Sequence, residues 1–125
     1  MDENELAKIV VDLGFKIYKK LGAGFFENVY EECLFHDIKK FGLKVEKQKS
    51  LSIIYDDLII NNAYKIDLIV EDKLILEIKT VDNLNDIHKA QILTYLKMTG
   101  CRLELLMNFR TDFYKNGIKR IVNNL

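Results

Sequence analysis

Asp67, Glu77 and Lys79 are the residues of this chain whose types and spacing could do chemistry. Lys65 to Val70 and Leu74 to Lys79 both read as strands, with Glu71-Asp72-Lys73 able to turn between them. Strand side chains repeat every two residues, so Glu77 and Lys79 share a face, about 6.6–6.8 Å apart along the chain. With a three-residue loop, Val70 faces Leu74, Leu68 faces Leu76 and Asp67 faces Glu77. One face then carries Ile66, Leu68, Val70, Leu74, Leu76 and Ile78; the other carries Asp67, Ile69, Ile75, Glu77 and Lys79. A two-residue loop would slip the register by one and split the acids between faces. The apolar alternation thus selects the pairing that opposes two carboxylates beside one ammonium. Like charges placed opposite each other destabilise a strand pair unless something neutralises them. A hard divalent cation would, because carboxylate oxygens suit magnesium or manganese. Alone, the spacing is more often a solvated strand face on which Lys79 offsets Glu77. Ile69 and Ile75 between the charges argue against that, since they imply a sheet covered on both sides.

Elements that could hold such a hairpin follow from the rest of the pattern. Leu6, Ile9, Val10, Leu13, Ile17 and Leu21 fall at helical spacing, and Gly22 follows where a helix ends. After Gly22-Ala23-Gly24, a second helix uses Val29, Tyr30, Cys33, Leu34 and Phe41 and stops at Gly42. Leu43 to about Ile54 is strand-like, Tyr55-Asp56-Asp57 turns, and Leu58 to Val70 returns, with a bulge expected at Asn61-Asn62. Leu74 to Thr80 is the third strand. Asn85 or Asp86 caps a helix running to Thr99 and stopped by Gly100. Arg102 to Phe109 and Gly117 to Val122 supply two more strands. The predicted class is α/β, with a mixed central sheet flanked by helices in the order α-α-β-β-β-α-β-β.

Composition narrows the function classes. At 125 residues the chain suits one domain spanning 1–125, and 49% hydrophobic with 30% charged residues is a globular balance. Cys33 and Cys101 are isolated in apolar settings, and with only His36 and His88 beside them no zinc spacing exists. No apolar run approaches the ~20 residues of a membrane span, and the first residues do not resemble a signal peptide, so a cytoplasmic protein is expected. Nineteen basic and 19 acidic residues cancel, so nucleic-acid binding would need a local patch. Lys39, Lys40, Lys44, Lys47 and Lys49 form the densest basic stretch; Lys115, Lys119 and Arg120 form another.

Two helical motifs join the hairpin. Glu27 lies in the first turn of the second helix, where the helix dipole also favours a carboxylate for purely structural reasons. His88, Gln91 and Tyr95, at spacings of three and four, share one face of the later helix. Gly24-x-x-Glu27-x-x-Tyr30, Asp67, Glu77-Ile78-Lys79 and Gln91-x-x-x-Tyr95, in that order, resemble the GxxExxY proteins of the PD-(D/E)XK nuclease superfamily. The resemblance runs from about Leu13 to Val122 and implies a restriction-endonuclease-like core. It also implies that Glu27, Asp67, Glu77 and Lys79 are catalytic, with Gln91, Tyr95, His88 and Tyr30 supporting. Asp67, Glu77, Glu27 and the backbone carbonyl of Ile78 would hold Mg2+ or Mn2+. Lys65-Ile66 precedes Asp67 where related sequences often carry arginine, which leaves the acids intact. The implied activity is metal-dependent phosphodiester hydrolysis, with DNA the expected nucleic acid. A homodimer would suit the cutting of two strands. A catalytically inactive nuclease-fold module, binding nucleic acid or a protein, is the alternative.

Overall fold

The computed structural model describes residues 1–125. Its elements are α1 (Glu3–Leu21), α2 (Glu27–Phe41), β1 (Val45–Tyr55), β2 (Leu58–Val70), β3 (Leu74–Lys79), α3 (Asp86–Thr99), β4 (Leu103–Asn108) and β5 (Ile118–Val122). A short 3-10 turn, Tyr114–Gly117, precedes β5. The five strands form one sheet in sequence order. All neighbours are antiparallel except β3 and β4, which α3 joins as a parallel crossover. This is the expected α/β restriction-endonuclease-like arrangement.

Local chemistry sets the helix ends. Asp2 accepts from the Glu5 amide at 2.8 Å while the Glu5 carboxylate accepts from the Asp2 amide at 3.2 Å, a reciprocal cap on α1. Asn85 caps α3 through the Ile87 and His88 amides, and the His88 ring accepts from the Asn85 amide. Each such cap contributes about 1 kcal/mol. Gly42 and Gly100 end α2 and α3 in the left-handed region, at φ 103° and 74°, where a Cβ would be strained.

Two apolar clusters sandwich the sheet. Leu6, Val10 and Ile17 of α1 and Tyr30, Leu34 and Ile38 of α2 pack on Leu68, Val70, Leu74, Leu76, Ile78, Leu105 and Met107. Ile92, Tyr95 and Leu96 of α3 pack on Ile69, Ile75 and Leu106 on the opposite side. The hairpin has the predicted three-residue turn: Val70 faces Leu74, Ile69 faces Ile75 and Leu68 faces Leu76. Glu71 and Asp72 both take positive φ to make it. The β1–β2 register shifts between Leu51 and Ile53, opposite Asn61 to Ala63, and Asn62 lies at φ 54°. That is the bulge expected there.

One face assignment is corrected. Ile66 does not join Leu68, Val70, Leu74, Leu76 and Ile78; it packs in the α3 cluster. The physical reason lies at Asp67. The β2–β3 ladder stops at Leu68 and Leu76, and beyond it the Asp67 side chain, rather than β2 backbone, accepts the Ile78 amide at 2.8 Å. With strict pairing ended, strict alternation ends too.

Candidate metal-dependent hydrolytic site

The end of the β2–β3 ladder brings two acids together. Asp67 Oδ2 accepts from the Ile78 N–H at 2.8 Å, and Glu77 Oε1 accepts from the Asp67 N–H at 3.4 Å. Each carboxylate therefore binds the other strand's backbone. Glu77 is buried, and burial first, then the charge of Asp67, pushes its carboxyl up to about 8 from the ordinary 4.5. Lys79, half-buried at the end of β3, works in the opposite direction by favouring the ionised form.

The backbone beyond Lys79 is held firmly. The Phe109 amide donates to the Lys79 carbonyl at 3.0 Å, and Lys79 sits beside Asn108 in the parallel ladder. Asn108 then grips the following segment: its Nδ2 donates to the Val81 carbonyl at 2.8 Å and its Oδ1 accepts the Val81 amide at 3.1 Å. A buried amide satisfied this way fixes where β3 ends and where Lys79 is presented.

The helical residues divide differently from the sequence expectation. Glu27 is exposed at the first residue of α2, whose N-cap, Phe26, makes no side-chain cap. One turn on, buried Glu31 accepts from Gln48 Nε2 at 2.6 Å, and the same nitrogen reaches Asp67 Oδ1 at 3.3 Å. Burial, with added repulsion from Asp67, raises the Glu31 carboxyl although Gln48 opposes the shift. Gln48, at φ 53°, lies between Lys47 and Lys49 of β1, which pair with Leu68 and Ile66 of β2 on either side of Asp67. Tyr30 is fully buried: its hydroxyl donates to the Gly22 carbonyl at 2.5 Å and accepts the Phe25 amide at 3.2 Å, and its ring stacks on Phe109. It braces the link before α2. Tyr95 is buried edge-on to Tyr64, its hydroxyl pushed up by burial and by the negative charge of Glu77, Glu104 and Asp67. Gln91 is exposed, and His88 serves in the α3 cap.

Sequence reading missed four contributors: Glu31, Gln48, Asn108 and Glu104. Glu104, on β4 opposite Ile75, is fully buried, and neither side-chain oxygen has a hydrogen-bond partner. Burial, then Glu77 and Asp67, push it up to about 10, so it is a neutral acid at pH 7. A lone charge inside Leu103-Glu104-Leu105-Leu106-Met107 was the available signal, since strands covered on both faces read as continuous apolar runs.

None of Glu31, Asp67, Glu77 and Glu104 is ion-paired; the ion pairs lie elsewhere, as at Lys47–Glu32 and Arg102–Glu3. No three His, Cys, Asp or Glu side chains converge closely enough to form a ready-made metal cage. The donor chemistry still fits a magnesium-like cation, which keeps several waters and is commonly bound by one or two carboxylates. Asp67 and Glu77 are such a pair.

An α/β fold with an acidic hairpin, a lysine two residues beyond the second acid and a covering helix defines a class of phosphodiester-cutting proteins. The sequence model of the PD-(D/E)XK nuclease superfamily matches residues 4–121, and the chain belongs to that superfamily. No curated protein and no solved structure matches it significantly. No helix is long and apolar enough to cross a membrane.

Proposed function

We propose that this protein is a Mg2+- or Mn2+-dependent nuclease of the GxxExxY group that hydrolyses phosphodiester bonds of DNA. One observation carries the reading: Asp67 and Glu77 each accept from the other strand's backbone across the end of the hairpin, and no lysine or arginine is ion-paired to either. Asp67, Glu77 and the Ile78 carbonyl would hold the ion. Of the helix acids, Glu31 is better placed than Glu27, because Gln48 links it to Asp67. When bound, the ion makes the attacking water more acidic and stabilises charge on the phosphate. Lys79 orients that water against the scissile phosphorus. A new P–O bond forms from water, which gives up a proton to solvent, while the bond to the leaving sugar oxygen breaks and that oxygen takes a proton from solvent. Tyr95, buried behind the acids, presents a neutral hydroxyl, and Asn108 keeps the Lys79 backbone in place.

The test is cleavage of single-stranded, duplex and branched DNA and of RNA, with magnesium and with chelator. Metal-dependent cutting of DNA by wild type, lost in Lys79→Ala, is the expected result. The lack of three converging ligands favours a second reading, an inactive module that binds nucleic acid or protein. Absence of cutting on every substrate would select it.

A further inference from the structure

A cleft of about 790 Å³ opens at the C-terminal end of the parallel pair β3–β4 and takes no part in the acidic site. Ligands of open α/β sheets bind beyond the carboxyl ends of strands. Asn108, which sits beside Lys79 in the ladder, lines this cleft, so it begins one strand away from the proposed catalytic lysine. Arg110, Phe113, Asn116 and Lys119 also line it. The cations Arg110 and Lys119 are matched by Asp82 and Asp112 in the same lining, and Arg110 lies 3.6 Å from Asp82. Cancelled charge makes a poor phosphate track. An aromatic face with amides around it suits a base.

Phe113 is 72% exposed, yet its backbone is held. The Phe113 carbonyl accepts from Thr111 Oγ1 at 2.9 Å and from the Asn116 amide at 3.0 Å, and the Tyr18 hydroxyl donates to the Thr111 carbonyl at 2.6 Å. A large apolar ring on fixed backbone is a ready stacking platform. Phe26, 80% exposed, extends from the same α1–α2 link as Ala23, which also lines the cleft. The amides of Asn83 and Asn116 offer both donors and acceptors to a base edge.

We propose that this cleft is a nucleobase subsite, which takes an unpaired base flanking the phosphate presented to Lys79. This rests on the nuclease reading for its orientation, and it specifies the substrate class: a strand that is single-stranded beside the cut. A fully paired base stacks on its neighbours and is not free to enter.

Fluorescence anisotropy with chelator present, so that nothing is cut, separates binding from catalysis. The probes are a labelled single-stranded oligonucleotide and a blunt duplex of the same sequence. Wild type should bind the single strand more tightly. Phe113→Ala should weaken that binding roughly 5- to 150-fold, corresponding to about 1–3 kcal/mol per stacked base, while Phe113→Tyr retains it. Because Phe113 is exposed, neither change should lower the melting temperature. Equal single-strand binding by Phe113→Ala and wild type overturns the proposal. So does equal affinity for blunt duplex, or no nucleic-acid binding at all, as a protein-docking surface would give. If the binding pattern holds but no substrate is ever cut, the subsite stands and the nuclease reading falls.

Discussion

Asp67 and Glu77 each place a carboxylate on the other's strand: Asp67 Oδ2 takes the Ile78 amide at 2.8 Å and Glu77 Oε1 takes the Asp67 amide at 3.4 Å. The first bond is short and the second long, so Asp67 is anchored while Glu77 is loosely held. A cation entering between them would require only Glu77 to adjust.

Glu77→Gln and Asp67→Asn should each abolish detectable Mn2+ binding in isothermal titration. Metal-free Glu77→Gln should melt higher than wild type, because it removes a buried acid repelled by Asp67. Unchanged metal affinity in both variants would remove the metal-site reading.

Metal affinity should depend on pH through Glu77. The buried carboxyl holds its proton up to about 8, and a ligand must lose it before the ion binds. Mn2+ affinity should therefore rise with pH and level off above about 8, releasing one proton per ion below that. Titration in buffers of different ionisation enthalpy counts the proton.

Glu104 should make the metal-free fold less stable as pH rises. Unfolded, its carboxyl loses its proton near 4.5; folded, near 10. Across that window the folded chain binds the extra proton, so stability falls with rising pH, and Glu77 adds to the fall up to about 8. Glu104→Leu should gain on the order of 1–3 kcal/mol, the cost of an unsatisfied buried polar group, and should flatten the decline above pH 8. Urea melts between pH 5 and 10 measure both.

Glu31 and Glu27 should separate by activity. Glu31→Gln should lower turnover more than Glu27→Gln, because Glu31 reaches Asp67 through Gln48 whereas Glu27 stands exposed at the helix start. Melting temperatures within a few degrees of wild type would exclude a folding defect as the cause. The reverse order of rates would restore Glu27 as the helix acid.

Lys79→Ala should retain Mn2+ and nucleic-acid binding while losing on the order of 10²–10⁴-fold in rate, the span of a positioned proton-handling group. Lys79→Arg should not rescue it, since guanidinium differs in shape and does not readily lose a proton. Wild-type cutting by Lys79→Ala would show that the lysine is only a charge partner.

The order of elements, their ends and the hairpin register were legible in the sequence, because each depends on local rules. Apolar alternation chose the three-residue loop at Glu71-Asp72-Lys73, glycines marked where α2 and α3 stop, and Asn85 marked where α3 starts. The approach of Asp67 to Glu77 was legible for the same reason: both acids lie on neighbouring strands joined by a short turn. Contributors from distant segments were not. Gln48 acquires meaning only when β1 lies beside β2, and Glu31 only when α2 packs over that edge and turns its second turn, not its first, toward Asp67. Asn108 gains its role from the parallel pairing that sets it beside Lys79, and Glu104 its neutrality from burial under α3. Periodicity reports which face of an element is apolar; how far two elements slide along each other depends on packing across the whole core, and that displacement decides which acid meets which.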